Sequence, residues 1–323
     1  MTFDIQTWVN AASFAAAGIA IGFGAIGAAV GEGYAASQAA LAIGSRPEQS
    51  GDILKLMLVG QAVAESASIF ALVVAMLLLF TDQAPHTINI AVSLSAGICI
   101  GFGAMGSGIG SGFPAGAACV GTARQPAASG RLMTNMLVGS AVCQTPAIFS
   151  LVIAFILIFT DFSDRALSPT WAAILGAGIS TGLSAIGPGI GGGLVAKASC
   201  EGVARHPANA APVTNLMLLA QAVTQTTAIY GLLISFILIF RVFPETETIS
   251  RPMALLSSGI CMGLGAFGPG VGEGFAGMAA VDWLSRNIKA AGELTRTMLV
   301  GQAVAESTGI YSLVIALIMI FVF

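Results

Sequence analysis

The chain has 323 residues, of which 56% are hydrophobic and only 8% charged, with 41 glycines. A soluble domain carries roughly a quarter charged residues, so this composition excludes an ordinary soluble globule and points to a membrane. The net charge of −3 gives no basic face for a polyanion, and nucleic acid is not expected as a partner.

In chain order the apolar spans fall at 10–42, 54–80, 88–120, 132–159, 170–200, 213–240, 253–284 and 298–323. The second shows why they read as membrane helices: 56–80 contains a single ionisable residue, Glu65. At about 1.5 Å per residue such a run crosses a hydrocarbon core of about 30 Å. Lipid satisfies no free backbone groups, so helices are the expected form. The fold class is therefore all-α membrane protein with eight transmembrane helices. The opening "MTFDIQTWVN" has no basic n-region, which argues against a cleaved signal peptide. Five cysteines (Cys99, Cys119, Cys143, Cys200, Cys261) lie in or at the ends of spans without a CxxC pair. They read as small buried hydrophobes.

The spans repeat in pairs. "GQAVAES" at 60–66 returns at 301–307, with "GSAVCQT" (139–145) and "AQAVTQT" (220–226) at the matching points between. These align Glu65, Gln144, Gln225 and Glu306, and 33 residues upstream of each stand Glu32, Ser111, Gly192 and Glu273. Pro47, Pro126, Pro207 and, in the last copy, Ile288 mark the turns. The chain is thus a fourfold tandem of a two-helix hairpin: 1–84, 85–164, 165–247 and 248–323. Folding hairpin 1 at its polar turn "SRPEQSGD" brings Glu32 and Glu65 to the same depth, near the bilayer middle.

Nine basic residues flank the hairpin turns (Arg46, Lys55, Arg124, Arg131, Lys197, Arg205, Arg286, Lys289, Arg296) and three the other side (Arg165, Arg241, Arg251). The turns are expected in the cytoplasm and both termini outside. Every hairpin enters the same way round, which suits repetition about an axis along the membrane normal, as in a ring, and not an inverted-repeat transporter.

The first helix of each hairpin is rich in glycine: "GFGAIGAAVGEG", "GFGAMGSGIGSG", "GLSAIGPGIGGG", "GLGAFGPGVGEG". Three contain G-x-G-x-x-G, but no βαβ unit surrounds them, so a dinucleotide site is excluded and no nucleotide is expected on this chain. Small residues let helix backbones approach closely, which suits a tight inner layer with the bulkier second helices outside it, against lipid. Pro188 and Pro269 are expected to add kinks.

A carboxylate at that depth is a functional candidate by default. Two at one depth repel when both are ionised, so one should hold a proton. A proton plus a monovalent cation neutralises the pair. Gln144 and Gln225 cannot be charged, and their mates Ser111 and Gly192 are not acids. Those two sites are lost, and hairpins 2 and 3 read as spacers between ion-binding hairpins 1 and 4.

The hairpin closely resembles the c subunit (proteolipid) of rotary ATPases of the F and N type. The resemblance rests on "GAAVGEGYAA", "GPGVGEGFAG", the loops "ARQP" (123–126) and "ARHP" (204–207), and "GQAVAESTGIYSLVIALIMIF" (301–321), and it covers the chain four times over. It implies copies of the chain in a rotor ring, turning in lipid against a stator a subunit, with the polar loops on central-stalk subunits. It also implies sodium-type sites: Glu65–Ser66 with Glu32 and the Val63 carbonyl, and Glu306–Ser307 with Glu273, Tyr311 and the Val304 carbonyl. Hairpin 1 departs by having Phe70 at the tyrosine position. In the family the hydroxyl after the acid comes from the adjacent hairpin, so Thr145 and Thr226 could complete a neighbour's site. Na⁺, alternatively H⁺, is the implied cargo. Two acids among four hairpins imply few ions per turn and a bias toward ATP-driven pumping. The chain itself is expected to catalyse nothing. A channel or a secondary transporter is the competing class.

Overall fold

The computed structural model describes residues 4–323. Hairpin 1 is α1 (Ile5–Ser45) and α2 (Ser50–Phe80), and hairpin 4 is α9 (Ser250–Arg286) and α10 (Ala291–Phe321). In hairpin 2, α3 (Ile88–Arg124) is followed by α4 (Ser129–Cys143) and α5 (Thr145–Phe159). In hairpin 3, α6 (Leu167–Arg205) is followed by α7 (Ala210–Thr224) and α8 (Thr226–Phe240). A short 3₁₀ turn closes each tip, opening on Pro47, Pro126, Pro207 and Ile288. Counting α4–α5 and α7–α8 each as one crossing, eight segments among the described residues are long and apolar enough to span a bilayer.

The second spans of hairpins 2 and 3 break where the repeat carries glutamine. Pro146, two residues past Gln144, sits in the first turn of α5 and lacks the N–H that would continue the ladder. At Gln225 the Thr224 hydroxyl bonds the Ala220 carbonyl at 2.8 Å, a competitor for the helical ladder. The spans bearing Glu65 and Glu306 run unbroken. Pro188 and Pro269, expected to kink, lie inside the continuous helices α6 and α9.

The glycine helices α1, α3, α6 and α9 stand side by side in chain order, and the second helices cover them. Each second helix rests in the groove between its own glycine helix and the next: α2 on α1 and α3, α5 on α3 and α6, α8 on α6 and α9. Among the described residues α10 rests mainly on α9, and it is the least covered of the eight segments. Glycine permits the close approach. A Cβ at Gly110 would overlap the Gly189 carbonyl, and one at Gly191 the Gly270 carbonyl. Lipid gives no hydrophobic drive between helices, so this contact and interhelical hydrogen bonds hold the layer together. Ser95 donates to the Ile174 carbonyl at 2.5 Å, and Thr181 pairs with Ser235 at 2.6 Å.

Two apolar clusters fill the interior. One, with Val74, Ile153 and Ile234, lies toward the termini, and the other, with Leu56, Met136 and Met217, toward the turns. Between them runs a belt of buried polar side chains: Ser107, Ser111, Gln144, Gln221, Thr224, Gln225, Glu273 and Gln302. The positions aligned by the repeat all fall in or beside this belt.

Candidate ion site

Hairpin 4 carries the most developed part of the belt. Glu306 is half-buried on α10, and Glu273 on α9 is 0% exposed. The two carboxylates lie within electrostatic reach of each other. Thr226 of hairpin 3 donates to Glu306 Oε1 at 2.7 Å, and Tyr230, also of hairpin 3, donates to the same oxygen. The same Thr226 oxygen lies 2.8 Å from its own Val223 carbonyl, an alternative acceptor for its single hydrogen. Gln302 donates to the carbonyls of Glu273 (3.2 Å) and Ala220 (3.1 Å), tying α10 to α9 and α7.

What is left over defines the chemistry. Both carboxylate oxygens of Glu273 and the Oε1 of Gln302 are buried without a hydrogen-bond partner among the described residues. An unpartnered buried acceptor is costly, and a charged one far more so. Two orphaned carboxylate oxygens within electrostatic reach of a second carboxylate have two remedies: a proton, or a small hard cation that takes oxygen ligands.

Hairpin 1 has the same residues without the neighbour. Glu65 is exposed and Glu32 half-buried, within electrostatic reach of each other. Gln61 donates to the Glu32 carbonyl at 3.2 Å, as Gln302 does to Glu273. Among the described residues no side chain bonds the Glu65 carboxylate.

The spacers hold neutral amides, whose Oε1 atoms are also buried without a hydrogen-bond partner among the described residues. Gln144 donates to Ser111 Oγ (2.7 Å) and to the Val63 carbonyl of hairpin 1 (3.0 Å). Gln225 donates to the Pro188 carbonyl at 3.4 Å, and at Gly192 no side chain faces it. Neutral amides here use their hydrogens to hold backbone, and neither place offers a second carboxylate.

Several sequence-derived residues stand elsewhere than expected. The Val63 carbonyl, which also accepts from Ser66 at 2.7 Å, faces Gln144 rather than Glu65. Val304 and Tyr311, expected beside Glu306, are each 66% exposed, on a second helix that no later hairpin covers. Ser307 bonds the Val304 carbonyl at 2.7 Å. Thr145 is half-buried on hairpin 2, which precedes a glutamine hairpin, whereas Thr226 does reach an acid. The physical reason is one of order: hairpin 1 gives the Val63 carbonyl, and hairpin 3 the Thr226 and Tyr230 hydroxyls, to the hairpin that follows. Sequence reasoning missed Tyr230, Val223, Gln302 and Gln61. The signal for the glutamines was present, since Gln61, Gln221 and Gln302 recur four residues before the aligned position.

The family model for the c subunit of ATP synthase matches four times, at residues 15–78, 94–157, 175–238 and 256–319. The chain belongs to the ATP synthase c-subunit family. Among curated relatives, the ATP synthase c subunit of Petrotoga mobilis is 56% identical over 68 residues, 21% of this chain and 71% of that protein. The c subunit of Natranaerobius thermophilus is 49% identical over 79 residues, 24% of this chain and 91% of its own. That of Thermotoga maritima is 51% identical over 67 residues, 21% of this chain and 79% of its own. One relative therefore corresponds to one hairpin, and this member of the c-subunit family is four such units in a single polypeptide, an integral multi-pass membrane protein with a c-ring role in a rotary ATPase.

Proposed function

We propose that the cargo of this c subunit is Na⁺, carried on the Glu306–Glu273 and Glu65–Glu32 pairs as the ring turns. The observation that carries the reading is the Glu273 carboxylate, wholly buried with neither oxygen bonded among the described residues and within electrostatic reach of Glu306. Protonation answers one Glu273 oxygen and leaves the other without a partner. A sodium ion plus one shared proton answers both and leaves the site neutral as it passes through lipid, where a bare charge is expensive.

Two acid hairpins in four support a bias toward ATP-driven pumping. Fewer ions per turn put more of each ATP's free energy behind each ion, and each charge moved costs about 2.3 kcal/mol per 100 mV. The excess of basic residues at the turns favours a cytoplasmic side for them, toward central-stalk subunits, with a stator subunit against the outer helices. Catalysis would belong to other subunits of the complex.

The test is carbodiimide labelling of the assembled ring at several pH values with and without Na⁺, read by mass spectrometry at each glutamate. Na⁺ is expected to shield Glu306 from labelling in a concentration-dependent way that K⁺ does not reproduce. Labelling that follows pH alone, whatever the sodium, would mean that the ring carries protons.

A further inference from the structure

We infer that the corner of the bundle where α8 ends and α9 begins holds the phosphate of an anionic phospholipid, gripped by the guanidinium groups of Arg241 and Arg251. This site lies at the end of the bundle opposite the hairpin turns, apart from the glutamate belt, and does not depend on which cation the belt carries.

The first ground is unmatched charge. That end of the bundle has three basic residues, Arg165, Arg241 and Arg251, and all three converge on one corner. Arg165 donates to the Ile239 carbonyl at 2.5 Å, in the last turn of α8, and Arg241 is the C-cap of that helix. Arg251 donates to the Ile320 carbonyl at 3.0 Å, in the last turn of α10. Among the described residues the ion pairs all lie at the turns, on Arg46, Arg205 and Arg286. None of the three arginines at this corner has a carboxylate partner. Glu245 and Glu247, in the same connection, are exposed and form no ion pair. A guanidinium does not lose its proton, so this charge calls for an anion from outside the chain.

The second ground is how the two guanidiniums are held. Phe243 is buried, and both stand over its ring, Arg241 at 5.6 Å and Arg251 at 5.5 Å from the centroid. Arg241 also stands over Phe321 at 4.4 Å. Stacking uses the faces of a guanidinium and leaves its N–H edges, the planar fork that matches phosphate oxygens. Arg251 commits Nη2 to Ile320, but among the described residues nothing accepts a hydrogen from the Arg241 side chain. A whole fork is therefore free, with a second positive charge within electrostatic reach. The preceding connection provides the contrast. There Arg165 alone stands over Phe162, at 4.9 Å, and it spends its fork on a helix carbonyl. The C-caps of α2 and α5 are Thr81 and Thr160 where α8 has Arg241, so the added arginine has no capping task to explain it.

Height selects the anion. The apolar spans end at Phe240 and Phe321, so the free fork stands at the level of the headgroups, where lipid phosphate is the abundant anion. Two cations without an acid favour a headgroup that carries no ammonium, such as phosphatidylglycerol. Its phosphate would join the end of α8, which bears Thr226 and Tyr230, to the hairpin that bears Glu306.

The test is native mass spectrometry of the assembled ring in mixed micelles of phosphatidylglycerol and phosphatidylcholine, counting retained lipid as the phosphatidylglycerol fraction is varied. Arg241→Gln and Arg251→Gln are each expected to raise the phosphatidylglycerol needed for half-retention by about tenfold, the effect of losing a hydrogen bond between charged groups. Arg241→Lys keeps the charge and loses the fork, and should fall between Arg241→Gln and the parent. It also carries the comparison if the glutamine variants do not assemble. Arg165→Gln should leave retention unchanged, because that fork is already taken by a carbonyl. Retention equal in the parent and the Arg241 variants, or lowered as much by Arg165→Gln, overturns the site. Inorganic phosphate at the same concentration as the lipid should not displace it. If it does, the ligand is free phosphate and the lipid assignment is overturned.

Discussion

Gln144 and Glu306 occupy one register of the repeat, and the contrast between them shows what the belt does in each kind of hairpin. Gln144 spends its amide hydrogens on Ser111 and on the Val63 carbonyl, so two hairpins are stitched together without a charge. Glu306 offers no hydrogens. It collects them from Thr226 and Tyr230, and across from it Glu273 keeps two oxygens free. Both leave a buried oxygen unpartnered, but at Gln144 it is a neutral amide oxygen, whereas at Glu273 it is both oxygens of an acid beside a second acid. The two also differ in backbone, with a break at Gln144 and an unbroken helix through Glu306.

The largest break in this contrast comes from making all four hairpins alike. Glu65→Gln with Glu306→Gln leaves every second helix with a neutral amide. Coupled cation transport by the assembled enzyme is expected to fall to background, while the ring still assembles. Transport that survives would remove the glutamates from the mechanism.

The converse change is expected to be costly rather than useful. Gln144→Glu puts a carboxylate in a buried place whose partners are the Ser111 hydroxyl and the Val63 carbonyl, neither an acid, and with phenylalanine (Phe70) at hairpin 1's tyrosine position. An uncompensated buried charge costs on the order of 3–5 kcal/mol, so the yield of assembled ring should drop clearly. Any ring that forms should label at residue 144 without protection by Na⁺. A sodium-protected carboxylate at that position would show that the hydroxyl at the tyrosine position is dispensable.

Much of this was legible in the sequence, and what was not has a common cause. The spans, the fourfold repeat and the shared depth of Glu32 with Glu65 follow from spacing along one hairpin, where helix rise converts residue number into height. Spacing says nothing about which flank of a hairpin meets which neighbour. Tyr311 could therefore be placed at the right depth without its partner being fixed, and Tyr230, which donates to Glu306 from the preceding hairpin, could be overlooked. The break at Gln144 was half visible, through Pro146. The break at Gln225 has no proline, and Thr224 is a common enough residue in membrane helices to pass unremarked.

A smaller effect sharpens the comparison at the glutamine that both kinds of hairpin share. Gln302 donates to the carbonyls of Glu273 and Ala220, and Gln221, at the same register in a spacer, donates to those of Gly139 (2.9 Å) and Gly192 (3.0 Å); each leaves its Oε1 buried and unpartnered, but only Gln302 is tied to an acid-bearing residue. Gln302→Leu removes an oxygen from the site and should raise the Na⁺ needed to shield Glu306 by about tenfold, in line with loss of one charge-assisted contact. Gln221→Leu should leave that value alone and lower only the thermal stability of the ring.

The smallest expected effect concerns the backbone break itself. Pro146→Ala restores an N–H in the first turn of α5, and alanine is about 3 kcal/mol better than proline inside a helix in isolation. Little of that should appear, because Pro146 is buried at the start of α5, and Gln144 stays pinned by Ser111 and Val63 whether or not the ladder continues. The unfolding temperature of the ring is expected to change by a few degrees at most, with sodium protection of Glu306 unaltered. A large gain in stability would mean that the proline, and not the stitching by the glutamine, sets the local backbone. A change at Glu306 would mean that the shape of hairpin 2 is felt two hairpins away, through the glycine layer in which α3, α6 and α9 touch backbone to backbone.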